Sequence, residues 1–181
     1  GQKDIPLNET GRQQARAVSE RLESVHIQAI YASDLSRAME TAHVIAKPHG
    51  LKVEPAPGFR EMLFGDWEGL TYEEIYERKQ MTAGEWHQTM LETGPPGGES
   101  LRQFVARIKI ALDEIVAKHP DETVLIAAHS GTLMLLVCLL LEHPIEKYWQ
   151  FRLDRASVSE ISTYPEGVII SLLNGTSHLK T

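Results

Sequence analysis

Helix-like and strand-like patterns of apolar residues alternate along the chain. Short apolar runs that indicate strands occur in QAIYAS (28–33), LKVEPAPG (51–58) and ETVLIAA (122–128). Helix-capping residues open the intervening stretches, as in SDLSRAMETAHVIAKPHG, where the helix should end near Pro48 and Gly50. The continuously apolar run ETVLIAA is typical of a strand in a parallel sheet. The pattern predicts an α/β fold in three layers, with a mostly parallel central sheet and helices on both faces.

Three further segments complete this arrangement. Residues 71–92 are polar and helix-like, and we expect them to form a small helical cap. TGPPGGES (93–100) is predicted to be a loop too short for a domain linker, so we expect one domain over residues 1–181. Two late strands, ASVSEIST and GVIISLLN, are predicted to pair across the turn at residues 165–167.

Composition narrows the classes of function. Hydrophobic residues make up 42% of the 181 residues, and the net charge of −7 argues against nucleic acid or an anionic membrane as the main partner. The longest apolar stretch, Leu133–Leu141, is much shorter than the ~20 residues of a membrane span. Cys138 is the one cysteine and is expected in the core. With no visible secretory signal, we expect a cytoplasmic protein.

Two side chains that can bind anions follow predicted strands. Arg37 lies in the first turn of the helix after IYASDLS, and His129 ends VLIAAH, just before the next helix. Open α/β sheets bind ligands beyond the carboxyl ends of their strands, and helix N-termini present free backbone N–H groups there. Each residue also has a simpler interpretation, as a surface arginine or a structurally hydrogen-bonded histidine. Together they predict a phosphate or carboxylate site.

Glu61 is the third candidate. It lies in GFREMLFGDWEG among aromatic and aliphatic residues, so its carboxyl group should be partly desolvated, which suits a proton donor. The alternative is that Glu61 forms an ordinary ion pair with its neighbour Arg60. The order Arg37, Glu61, His129 along the chain strengthens the prediction of a common site, although the residues alone do not specify its ligand.

The motifs around these residues resemble those of the histidine phosphatase superfamily, the phosphoglycerate-mutase-like fold. PLNETGRQQARAVSERL, YASDLSRAMETA, FREMLFGDWEG, PPGGES, VLIAAHSGTL and LLNGTSHL resemble the family's successive motifs, in order and over essentially the whole chain. The resemblance implies phosphoryl transfer in two steps. A histidine takes the phosphoryl group, and water then releases it.

The resemblance also implies roles for individual positions. Arg37 would bind the phosphate, while Glu61 would protonate the leaving oxygen and later activate water. His129 would bind the phosphoryl oxygens, with the backbone N–H of Ser130 as a further donor. Gly1 and Gln2 resemble positions near the substrate. No metal or other cofactor is implied.

The family's Arg-His-Gly motif, which carries the nucleophilic histidine, is not found in this sequence. Eight histidines are present, and none has an arginine before it and a glycine after it. The residues GQKDIPL resemble the loop that normally follows this motif. We therefore expect the motif and its strand to lie upstream of Gly1 in the intact protein.

The segments EMLFGDWEGLTYEEI and YWQFRLDRASVSEI are most similar to α-ribazole phosphatases of cobalamin assembly, and LLNGTSHL is shared with broad-specificity phosphatases. The expected partner is a small phosphate monoester, and a homodimer is left open. Alternatives are a phosphoglycerate mutase of the same superfamily and a non-catalytic protein that binds phosphate ligands. A serine hydrolase using Ser130 is disfavoured, because the flanking residues do not match G-x-S-x-G.

Overall fold

A computed structural model describes residues 1–79 and 82–179 of the chain. Helices and strands alternate along it, as the sequence pattern predicts. In chain order they are α1 (Glu9–Leu22), β1 (Ala29–Ala32), α2 (Ser36–His49), β2 (Val53–Pro55), α3 (Tyr72–Lys79), α4 (Ala83–Glu92), α5 (Leu101–Lys118), β3 (Val124–Ala127), α6 (Ser130–Leu140), β4 (Val158–Tyr164) and β5 (Gly167–Gly175). Three short 3₁₀ helices lie at Pro57–Phe59, Gly65–Trp67 and Ile145–Gln150.

The central sheet is parallel, with β1 between β2 and β3. Ile30 of β1 is opposite Val53 on one side and Leu125 on the other. All four residues of β1 are buried, as expected for a central strand covered on both faces. Among the described residues, β3 pairs with a strand on the β1 side only, and its four residues are half-buried.

Helices cover both faces of this sheet, since alternate residues of β1 belong to different cores. Ala29 and Tyr31 pack with residues of α5 and α6, including Phe104 and Leu135. Ile30 and Ala32 lie in the second core, whose further members come largely from α1 and α2: Val18, Leu22, Ile27, Ala42, Ile45 and Ala46. The α/β fold with a parallel sheet between helices is therefore confirmed.

The helical cap at residues 71–92 and the pair of strands joined by the turn at residues 165–167 also match the sequence pattern. Helices α3 and α4 occupy the segment 71–92, of which residues 80 and 81 lie outside the described residues. Trp86 of α4 stacks on Trp67 with ring centroids 5.0 Å apart. Strands β4 and β5 pair antiparallel, with Tyr164 opposite Gly167 around the expected turn.

The apolar stretch in the second half of the chain forms part of the core. Helix α6 contains it in part, and Cys138 is fully buried there, where burial raises the pKa of its thiol. Within residues 1–79 and 82–179, no helix has both the length and the apolar character needed to cross a membrane.

Candidate active site

His129 and Ser33 meet at the carboxyl edge of the parallel sheet. Ser33 follows β1 and His129 is two residues beyond β3, so parallel pairing brings the two strand exits side by side. The His129 Nε2 and Ser33 Oγ atoms are 2.8 Å apart, and both residues are buried. His129 has extended backbone geometry and immediately precedes α6. Its ring is thus fixed at the junction between the sheet and a helix N-terminus.

The His129 ring is neutral at physiological pH. Burial, together with the nearby Arg37 guanidinium, lowers the pKa of His129 to about 3. A neutral imidazole offers one N–H donor and one acceptor nitrogen. His129 is therefore equipped to form hydrogen bonds rather than to act as a permanent cation.

Glu61 lies against the start of the same helix. One carboxylate oxygen accepts a hydrogen bond from the Met62 N–H at 2.9 Å, and the other accepts one from the Gly131 N–H at 3.0 Å. Gly131 is the second residue of α6, where N–H groups have no partner within the helix. Helix N-termini also favour negative charge. The carboxylate is thus bound to Gly131, which lies two residues after His129 in the sequence.

Arg60 does not pair with Glu61. Its guanidinium forms a bidentate ion pair with Asp34, with Nε–Oδ1 and Nη2–Oδ2 distances of 2.7 and 2.5 Å. This hydrogen bonding lowers the pKa of Asp34, against the opposing effect of burial. Because Asp34 follows Ser33, the pair joins the segment that carries Glu61 to the end of β1. The alternative of an Arg60–Glu61 ion pair is thereby excluded.

Arg37 is the second residue of α2 and faces the first residues of the chain. Its Nη1 donates to the Lys3 carbonyl at 3.0 Å, and its Nη2 donates to the Gly1 carbonyl at 2.8 Å. Gln2 lies between these carbonyls, and its side-chain amide donates to the Glu61 carbonyl at 3.0 Å. Residues 1–3 therefore link Arg37 to Glu61.

Ser130 presents its backbone N–H at the start of α6, whereas its hydroxyl group is hydrogen-bonded elsewhere. Its N–H is the first of α6. Its Oγ donates to the Leu153 carbonyl at 3.0 Å, whereas His129 is hydrogen-bonded to Ser33. The Ser130–His129 pair that a serine hydrolase would need is not formed.

The predicted site residues thus lie in one neighbourhood. His129 and Glu61 meet at the N-terminus of α6, and Arg37 is joined to Glu61 through Gln2 and its neighbours. A guanidinium, an imidazole and helix N–H groups are suited to bind a tetrahedral oxyanion. A carboxyl group beside them is suited to exchange a proton with a bound oxygen.

Sequence reasoning did not identify several residues that support this site. Ser33 orients His129, and Glu68 accepts the Gln2 N–H at 2.7 Å. Burial opposes ionisation of Glu68, but hydrogen bonds from the Gln2 and Phe64 backbones hold its pKa below the usual value. Arg107 and Glu99 hold the backbone around Glu61. Ser33, Glu68 and Glu99 lie within the family-like motifs of the sequence, whereas Arg107 lies outside them.

Metal ligation does not feature in the described part of the chain. Residues 1–79 and 82–179 contain no group of three or more histidine, cysteine, aspartate or glutamate side chains placed to hold a metal ion.

Comparisons with known proteins show the family to which the chain is related. The family model of the histidine phosphatase superfamily (branch 1) matches residues 1–176. Phosphoserine phosphatase 1 of Hydrogenobacter thermophilus is 32% identical over 97% of this chain and 83% of that protein. The α-ribazole phosphatase structure from Shigella flexneri has a TM-score of 0.87 at 27% identity, covering 97% of this chain and 87% of the other. A mycobacterial glucosyl-3-phosphoglycerate phosphatase, solved with inorganic phosphate, has a TM-score of 0.85 at 30% identity, covering 99% and 92%.

Proposed function

The chain belongs to the histidine phosphatase superfamily, and on this basis we propose that it hydrolyses phosphate monoesters through a phosphohistidine intermediate. The observation that carries the proposal is the position of Glu61. Its carboxylate accepts the Gly131 N–H at the start of α6, the helix that His129 immediately precedes, and Arg37 lies in the first turn of α2.

In the first step, a histidine nitrogen forms a bond to phosphorus while the bond from phosphorus to the ester oxygen breaks. The proton of the Glu61 carboxyl group passes to the departing oxygen, which leaves as an alcohol. Arg37, His129 and the Ser130 N–H bind the phosphoryl oxygens, whose charge they offset during the transfer.

In the second step, a water oxygen forms a bond to phosphorus and the nitrogen–phosphorus bond breaks. The Glu61 carboxylate takes a proton from this water, which restores the acid for the next cycle. The products are inorganic phosphate and the free histidine. One carboxyl group thus serves as acid and then as base.

The nucleophile would be the histidine of the family's Arg-His-Gly motif, which is not found in this sequence.

Candidate substrates follow from similarity to known phosphatases. We take α-ribazole 5′-phosphate as the first candidate, in keeping with the similarity of EMLFGDWEGLTYEEI and with the Shigella structure. The names of the other relatives point to phosphoserine and glucosyl-3-phosphoglycerate. All three are phosphate monoesters, so the proposed chemistry is the same for each.

The test is turnover of these three esters by the full-length protein, with release of inorganic phosphate as the measurement. We expect hydrolysis of at least one of them. Mutase activity without appreciable phosphate release would reject the phosphatase assignment. Phosphate binding without turnover would instead favour the non-catalytic alternative.

The role of Glu61 is tested with Glu61→Gln. An alkyl phosphate needs its leaving oxygen protonated, whereas 4-nitrophenolate leaves without much help. We compare kcat/KM, which reports the first step only, because Glu61 also acts in the second step, which both esters share. We expect kcat/KM to fall about 100-fold or more on the alkyl ester and much less on 4-nitrophenyl phosphate. Equal losses on both esters would indicate that Glu61 has only a structural role.

A further inference from the structure

Arg107 of α5 holds the backbone on either side of Glu61. We call residues 58–63 the acid loop. Arg107 donates from Nη1 to the Gly58 and Arg60 carbonyls at 2.8 and 2.7 Å, and from Nη2 to the Glu61 carbonyl at 2.9 Å. Its remaining two N–H groups bond Glu99, at 2.6 and 2.9 Å. All five donors of the guanidinium therefore have acceptors.

Glu99 holds the same loop at its far end. Its carboxylate accepts the Leu63 N–H at 2.8 Å, and its own backbone N–H donates to the Leu63 carbonyl at 3.0 Å. Side-chain exposure is 24% for Arg107 and 13% for Glu99, so this ion pair is shielded from most solvent screening. The pair thus ties both ends of the acid loop to the start of α5.

The two ends of Glu61 are held by different parts of the molecule. Its carboxylate meets the N–H groups of Met62 and Gly131, whereas its carbonyl accepts from Arg107 and Gln2. Losing the bonds from Arg107 would leave the Glu61 carbonyl with the Gln2 amide alone, so the carboxylate would be held less firmly on α6. Small displacements of a catalytic group reduce rates steeply.

We propose that Arg107, through its ion pair with Glu99, is a positioning residue that holds the Glu61 carboxyl group in place for proton transfer. This inference rests on the proposed function. Arg107 acts through Glu61, so its loss must resemble the loss of Glu61, with a larger effect where the leaving group needs a proton. A residue that only stabilised the fold would lower turnover of all esters alike.

The experiment compares Arg107→Gln with Arg102→Gln in the full-length protein. Arg102 is the matched control, since it lies on the same helix and forms an exposed ion pair with Glu92. We expect Arg107→Gln to lose roughly 10- to 100-fold more kcat/KM on an alkyl phosphate than on 4-nitrophenyl phosphate. Arg102→Gln should keep wild-type rates on both esters.

A double variant shows whether the effect passes through Glu61. If it does, Glu61→Gln with Arg107→Gln should be no slower on the alkyl ester than Glu61→Gln alone. Losses that multiply, or losses equal for both esters, would overturn the inference. If Arg107→Gln does not fold, Arg107→Lys keeps the charge with fewer donors, and the same two criteria apply to it.

Amide hydrogen exchange separates this inference from the proposed function. The Met62 and Gly131 amides both donate to the Glu61 carboxylate. Their exchange should accelerate in Arg107→Gln and stay unchanged in Arg102→Gln, whatever substrate the enzyme uses. Unchanged exchange in Arg107→Gln would refute the inference, whereas a wild-type protein without any monoesterase activity would refute only the proposed function.

Discussion

Gly131 shows how a residue without a side chain lets a carboxylate approach the N-terminus of a helix. A Cβ atom at this position would lie 2.5 Å from a Glu61 carboxylate oxygen, too close for two non-bonded atoms. The absence of a side chain lets the carboxylate reach the N–H group of the helix. The glycine is thus explained by close approach, and not by an unusual backbone angle.

The substitution Gly131→Ala should therefore act on Glu61. We expect the added methyl group to displace the carboxylate and to lower kcat/KM on alkyl phosphates about 10-fold or more, because a displaced acid transfers its proton poorly. Turnover of 4-nitrophenyl phosphate serves as the internal control and should fall much less. A wild-type rate on the alkyl ester would contradict the contact.

The sequence indicated candidate residues for the site, but it did not indicate the hydrogen-bond partners of the side chains around them. Arg37, Glu61 and His129 could be named as candidates because each follows a recognisable pattern, and they remain predictions. The partner of Arg60 could not, since local sequence offers both Glu61 and more distant acids, and only the packing of the acid loop on β1 selects Asp34. Arg107 had no local signal at all, because its acceptors lie 8 to 49 positions away in the sequence.

At the scale of elements, the acid loop and the three residues after it pack against the glycine-rich loop at residues 93–100. The Asp66 N–H donates to the Pro96 carbonyl at 2.9 Å, and the Glu99 N–H donates to the Leu63 carbonyl at 3.0 Å. A Cβ atom on Gly98 would lie 2.5 Å from the Leu63 carbonyl oxygen, which is backbone and cannot rotate away. The two loops therefore behave as one support for Glu61.

Replacing Gly98 by alanine should separate these loops. We expect Gly98→Ala to lower the free energy of unfolding by about 1–3 kcal/mol, the usual range for overpacking, and to reduce turnover. Urea unfolding followed by circular dichroism measures the first effect. An unchanged midpoint would mean that the loops accommodate the methyl group without strain.

The elements themselves could largely be predicted from the sequence. Strand β1 was visible as an apolar run, and the turn between β4 and β5 was visible from Pro165 and Glu166. Helix α2 continues one residue beyond Pro48, to His49. Gly50 caps its C-terminus in the left-handed conformation, with φ 65°. What the patterns could not reveal was the strand order β2-β1-β3, since strand order depends on contacts far apart in sequence.

At the scale of the whole molecule, His129 couples folding to pH. Its pKa is about 3 in the folded protein, against the ordinary value of 6.5. Between these values the unfolded chain binds a proton that the folded protein does not. The stability contributed by neutral His129 is therefore complete above pH 6.5 and is lost progressively as the pH falls towards 3.

This coupling predicts a loss of about 2 kcal/mol in the free energy of unfolding between pH 7 and pH 5 from His129 alone. The measurement is urea unfolding at both pH values for the wild type and for His129→Gln. Other groups titrate alike in both proteins, so the difference between the two pH dependences isolates His129. Identical pH dependences would show that His129 is not buried as a neutral ring.

The central claim is that Arg37, Glu61 and His129 surround a single phosphoryl group. A crystal structure of the full-length protein with orthovanadate, which adopts the geometry of a phosphoryl group in transfer, tests it most directly. We expect Arg37 and His129 within hydrogen-bond distance of the equatorial oxygens and the Glu61 carboxyl group beside an apical oxygen. Vanadate bound elsewhere, or bound with Glu61 remote from it, would contradict the account.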